Sequence, residues 1–183
     1  MLEQFVTWLA DTPGSVALHE SQYMYTIIES THVLAIMLFV GTIAMVDLRL
    51  LGASFPQTPV SQMLSRMLPW TIAGFVVLVI TGVLLFYAIP IRTFHSLWFR
   101  IKLTLLLIGG INILIFTFKV ERDKARWDLG PVPLKSKIAA SISLSVWALV
   151  IVCGRLIAYN WADCDVTTSP WVITLAGCPS QEN

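Results

Sequence analysis

From Ser21 to Gly52 the chain reads SQYMYTIIESTHVLAIMLFVGTIAMVDLRLLG. It opens on aromatic residues, stays largely apolar for more than twenty positions and closes on the charged residues Asp47 and Arg49. A helix rises about 1.5 Å per residue and the hydrocarbon of a bilayer is about 30 Å thick, so a run of this length spans it. Glu29 and His32 interrupt the run, three residues apart on one helical face. Ionisable side chains at membrane depth are costly and by default mark a function, with a partner to be found.

Composition extends that reading to the whole chain. Of 183 residues 56% are hydrophobic and 13% charged, and the mean hydropathy is +0.76. These values indicate a helical membrane protein whose constant partner is the lipid bilayer, and the four spans counted below make the expected fold all-α, an integral membrane four-helix bundle. A net charge of +1, with no Lys/Arg tract and no Gly-rich phosphate loop, argues against nucleic acid. The start, MLEQFVTWLADTPG, has no basic residue and no long apolar core, so the expectation is no cleaved signal peptide and a mature chain beginning at or near Met1.

Leu2, Phe5, Val6 and Leu9, with Trp8 beside them, have helical spacing over too few residues to span, which predicts a short interfacial helix over 1–10. Asp11 to Gly14 break it, and a link carrying His19 and Glu20 follows. Spans are expected at about 22–46, 70–89, 99–118 and 138–160, in one membrane domain, with a tail over 161–183. Between the first two lies a mixed loop with Pro56 and Pro59, then a short amphipathic piece near 63–68. Gly74 and Gly82 let a neighbouring helix approach span two closely.

Basic residues orient the bundle. The links after spans one and three hold Arg49, Arg66, Lys119, Arg122, Lys124, Arg126, Lys135 and Lys137, whereas the link between spans two and three, with its helix start, holds only Arg92, Arg100 and Lys102. The amino end and the tail hold acids instead: Glu3, Asp11, Glu20, Asp163, Asp165 and Glu182. This predicts a bacterial inner-membrane protein with both termini periplasmic. Trp8, Tyr23, Tyr25, Trp98, Tyr159 and Trp161 would form the outer aromatic belt, Trp70 and Trp127 the inner one. Cys164 and Cys178 then share an oxidising compartment, and a bridge between them is expected. Cys153, inside span four, reads as a small core residue.

Depth arithmetic gathers the ionisable residues. With Asp47 as the inner boundary of span one, Glu29 is eighteen residues away, roughly 27 Å, and His32 roughly 22 Å. With Lys137 as the boundary of span four, Arg155 is also eighteen residues away. Glu29 and Arg155 are therefore expected to pair near the outer edge, one turn above His32. His95, Arg100 and Lys102 enter at the same level from span three. The candidate pocket is lined by Glu29, His32, His95, Arg100, Lys102 and Arg155. Each member also has a structural reading: helix docking for Glu29, Arg155 and His32, snorkelling for Arg100 and Lys102, loop exposure for His95 and His19.

Two cofactors suit such a set. Haem b needs one or two imidazoles on iron and cations for its propionates, with His32 as first ligand, His95 (or His19) as second, and Arg155 and Arg100 on the propionates. A quinone headgroup would use His32 and Glu29 for protons. A copper site lacks the tight Met-Cys-His spacing that soft metals favour.

Four motifs, DLRLLG at 47–52, PWTIAGF at 69–75, FRIKL at 99–103 and GRLIAY at 154–159, resemble a family of small four-helix proteobacterial inner-membrane proteins of unassigned function. That family is distantly similar to CopD-type copper-resistance membrane proteins and, in layout, to four-helix b-type cytochromes. The resemblance covers nearly the whole chain and implies that His32, Arg49, Lys102 and Arg155 match the family pattern. Relatives carry a histidine near the inner end of span three, where this chain has Phe116-Thr117-Phe118. The expected function is an inner-membrane redox protein that holds haem b or a quinone in the outer leaflet and exchanges electrons with a periplasmic partner. The alternatives are an accessory subunit of a larger membrane complex and a metal or small-solute transport component.

Overall fold

A computed structural model describes residues 1–116, 128, 131–159, 164, 169–176 and 178. The basic cluster from Lys119 to Arg126, the belt residues Trp127 and Trp161, and the tail acids Asp163, Asp165 and Glu182 lie outside the described residues. The elements are α1 (Leu2–Ala10), α2 (Pro13–Glu20), α3 (Gln22–Leu51), α4 (Val60–Ala88), α5 (Pro90–Phe94), α6 (Leu97–Ile115), α7 (Leu134–Ala158) and α8 (Pro170–Ala176). Among them α3, α4, α6 and α7 are long and apolar enough to cross a membrane, and together they make a four-helix membrane bundle.

Local chemistry sets the ends. Ser21 caps α3, its hydroxyl accepting from the Met24 amide at 3.3 Å, and Gly52 closes it in the left-handed region at φ 79°. Pro13 and Pro90 occupy the first turns of α2 and α5, where a missing N–H costs nothing. The span limits differ from the expected ones mainly in α4, which begins at Val60 and runs through Pro69. The proline removes one ladder bond, but the turns on both sides lie against α3, so the amphipathic piece and the span form one helix. The link carrying His19 is also helical, as α2.

Helix α3 packs on α4 and on α7, and α7 packs on α6. The shared centre is Phe39, 3% exposed, with Trp147 edge-on at 4.8 Å and Phe75 at 5.6 Å. Val146 and Val150 of α7 complete that core. At Gly74 of α4, a Cβ would lie 3.0 Å from the Phe39 backbone nitrogen, so the two helices cross at a contact only glycine permits.

At the far end, opposite the termini, Leu50, Val60 and Ala140 form a second core. Arg49 is 4% exposed and donates from Nε to the Thr58 carbonyl at 2.6 Å. Asp128, from the α6–α7 segment, caps α4 from outside that helix. Its Oδ1 accepts from the Ser61 amide at 2.7 Å and its Oδ2 from the Ser61 hydroxyl at 2.5 Å. The Ser61 side chain, then the Ser61 amide, hold the Asp128 carboxyl below its ordinary range. A depressed carboxylate stabilises the fold above its unfolded pKa and loses that contribution as pH falls through the folded value. Asp128→Asn should therefore cost about 1 kcal/mol or less at neutral pH, this being a solvated cap. The melting difference from the parent should hold above about pH 5 and shrink below about pH 4. A difference that grows on acidification would contradict the cap.

The end carrying the termini is closed by short helices. Ser15 of α2 donates to the Tyr87 carbonyl at 2.7 Å, and the Thr12 and Tyr87 hydroxyls are 2.8 Å apart. Val172 and Ala176 of α8 bury against Leu97, and Cys164 is disulfide-bonded to Cys178 beside them, as expected from the sequence.

Candidate functional site

The six residues expected in one pocket separate into four places. Arg100 lies over the Phe94 ring, and its Nη1 donates to the Leu175 carbonyl at 2.9 Å, so it anchors α8. His95 sits at the α5–α6 corner. Its Nδ1 donates to the Ile91 carbonyl at 3.0 Å and its Nε2 lies 3.7 Å from the Glu3 carboxylate. The pair of imidazoles expected to ligate iron is therefore not assembled: His95 faces α1, and His19 is exposed on α2.

Arg155 also departs from expectation. Its guanidinium stacks on the Tyr159 ring and hydrogen-bonds the Tyr159 hydroxyl, one turn along the same exposed face. Among the described residues no ion pair joins it to Glu29. The helix register explains why. Asp47 is 6% exposed and hydrogen-bonded by Ser143 of α7, so Ser143 and not Lys137 is its counterpart in depth. That shift of six residues is roughly 9 Å, and it places Arg155 well below Glu29. Glu29 instead lines a shallow cavity of about 380 Å³ with Ser30, Val33 and Leu34. It shares the surroundings of Tyr25 with Arg92.

His32 and Lys102 do come together. His32 is half-buried between α3 and α4, with Nδ1 2.7 Å from the Thr81 hydroxyl oxygen. The neighbouring ring carbon, Cε1, would lie 3.4 Å from a Cβ at Gly82. Lys102 of α6 is within electrostatic range of His32 and of Cys153. Its Nζ would be 3.5 Å from a Cβ at Gly154, so the ammonium rests against the bare backbone of α7. Among the described residues neither His32 Nε2 nor Lys102 Nζ has a hydrogen-bond or carboxylate partner.

Four helices therefore supply one polar locus inside the apolar bundle: an imidazole from α3 steadied by α4, and an ammonium from α6 lodged on α7. Sequence reasoning missed Thr81, Cys153 and Gly154 as neighbours of this locus. Thr81 was detectable as one of the few hydroxyls within an apolar span, and Gly154 as the first residue of GRLIAY. The far-end cluster of Asp47, Ser143, Arg49 and Asp128 was also missed, because Asp47 reads as a boundary charge. Among the described residues no three His, Cys, Asp or Glu side chains gather as a metal set.

Fold and site thus define a helical membrane protein with a polar locus enclosed between its spans. The chain belongs to a family of unknown function (DUF6644), whose model matches residues 5–160, and so includes all four spans, His32 and Lys102. No curated protein and no solved structure matches it.

Proposed function

We propose that this protein binds a membrane quinone headgroup between His32 and Lys102 and exchanges its electrons with a separate redox partner. The observation that carries the reading is Lys102. An ammonium held among apolar helices, without a carboxylate among the described residues, suits a ligand that brings its own acceptor oxygen. A quinone carbonyl is such an acceptor, and His32 beside it can form the second polar contact. Apolar surroundings with a few convergent polar groups are the usual make-up of such a pocket. Haem b asks for more. Its second imidazole would have to be His95, whose Nδ1 donates to the Ile91 carbonyl and whose ring faces Glu3 of α1 at the α5–α6 corner, so the quinone is the better-supported of the two.

Titration of the detergent-purified protein with a short-chain benzoquinone, followed by quenching of tryptophan emission, tests this. Saturable binding in the parent and its loss in His32→Ala are expected. A parent that shows no saturable binding and carries no extractable quinone would reject the reading.

We assign the bacterial inner membrane, with both termini periplasmic. Support comes from the excess of Lys and Arg in the links at the far end, and from the Cys164–Cys178 bond at the end bearing the termini. A carboxy-terminal alkaline phosphatase fusion should be active; an inactive one, with a fluorescent cytoplasmic reporter at the same position, would reverse the orientation.

A further inference from the structure

We propose that Thr81 is a positioning residue that fixes the tautomer of His32 and thereby selects the reduced, hydroxyl-bearing form of the headgroup. The selection rests on the quinone reading above, whereas the tautomer does not. The Thr81 hydroxyl is 2.6 Å from the Val77 carbonyl oxygen of its own helix, with the Leu78 carbonyl at 3.3 Å. Carbonyls only accept, so the one hydroxyl proton is committed to them. The Thr81 oxygen is left with lone pairs, and the His32 Nδ1 that lies 2.7 Å away must be the donor. Thr81 is 6% exposed, which keeps water from replacing either contact.

In the neutral ring a hydrogen on Nδ1 leaves Nε2 bare. Water favours the opposite tautomer of a free histidine side chain, so the Thr81 contact imposes a choice the ring would not make alone. The consequence is a site with one acceptor and one donor: His32 Nε2 accepts and Lys102 Nζ donates. A quinol hydroxyl can donate to Nε2 while its second oxygen accepts from Lys102. A quinone carbonyl can accept from Lys102 but leaves Nε2 without a partner. An acceptor that the headgroup covers and leaves unpaired is penalised, and the reduced form is preferred.

The test separates the tautomer from the ligand. Nitrogen-15 NMR of histidine-labelled protein reads which ring nitrogen carries hydrogen, with the His32 signals assigned by their loss in His32→Ala. The parent and Thr81→Ser should show Nδ1–H, and the isosteric Thr81→Val should move toward Nε2–H. In binding titrations the parent and Thr81→Ser should favour quinol over quinone by about tenfold, a preference that Thr81→Val erases. Nε2–H in the parent, or a ring unchanged in Thr81→Val, overturns the role of Thr81 whatever binds. Nδ1–H in a parent that binds neither redox form overturns the quinone reading and the selection with it. Equal affinity for both forms in a parent that shows Nδ1–H overturns the selection alone.

Discussion

A Gly74→Ala variant is expected to lose stability at a helical position where alanine, on propensity alone, should add it. Glycine within a helix costs about 1 kcal/mol relative to alanine, so the intrinsic effect favours the substitution. Against it stands the crossing of α3 and α4, where the added Cβ meets the Phe39 nitrogen at 3.0 Å and its Cα at 3.1 Å. Those atoms are backbone and cannot rotate away, unlike the end of a side chain. Moving them moves Phe39, and with it the contacts to Phe75 and Trp147. Overpacking of this kind costs about 1 to 3 kcal/mol, more than propensity returns. The steric term wins. Gly74→Leu should prevent α3 and α4 from docking at all. Gly41 is the control: it is exposed, with nothing within 4 Å of its Cβ position, so Gly41→Ala should be neutral or stabilising. In detergent the apparent melting temperature should fall by roughly 2 to 4 °C per kcal/mol lost. Gly74→Ala melting at or above the parent would rule out the close crossing.

That crossing was readable from the sequence because it depends on a property the residue itself displays. A glycine inside an apolar span often marks close approach, as at Gly74, although Gly41 shows that it need not. The four spans were readable for a similar reason, since length and hydropathy act locally and suffice to define a crossing helix. Where span two begins was less readable. Pro69 marks a break by local rules, yet α4 passes through it because α3 supports both halves. The Cys164–Cys178 bond followed from a shared compartment, not from geometry.

The site was readable only in part, and the failure has one physical source. Depth was measured from charged residues taken as the membrane boundary. Asp47 breaks that assumption: it is buried against Ser143 and lies inside the bundle. Every level in span four was displaced by the same six residues, so Arg155 was matched to Glu29 when α7 carries it to Tyr159 instead. Linear spacing also leaves out rotation about the helix axis. Arg100 and Lys102 are two residues apart and so point to different sides: one holds the tail helix, the other enters the bundle. His32 and Lys102 stand out as candidates because an ionisable side chain in an apolar run is conspicuous. Their partners Thr81 and Gly154 are not conspicuous, and only the packing of four helices brings them there.

Replacing Lys102 with methionine should weaken quinone binding and, in the same molecule, leave the fold as stable or more so. The two effects have one cause. Lys102 is the sixth residue of α6, roughly 8 Å from its start, where an ammonium is still expensive to hold among apolar groups. Among the described residues no carboxylate offsets that cost. Methionine has nearly the same length and flexibility without the charge, so it should fill the space beside Gly154. Replacing buried charge by well-packed apolar volume is often stabilising, by about 1 kcal/mol or more. The ligand, by contrast, loses its hydrogen-bond donor, and its affinity should fall at least about tenfold. A lysine that served only to dock α6 on α7 would behave the other way. Its removal would lower the melting temperature, and benzoquinone titrations of the surviving folded protein would be unchanged. Measuring both quantities on one preparation therefore decides between a lysine that stabilises this bundle and one retained for a ligand despite its cost to the fold.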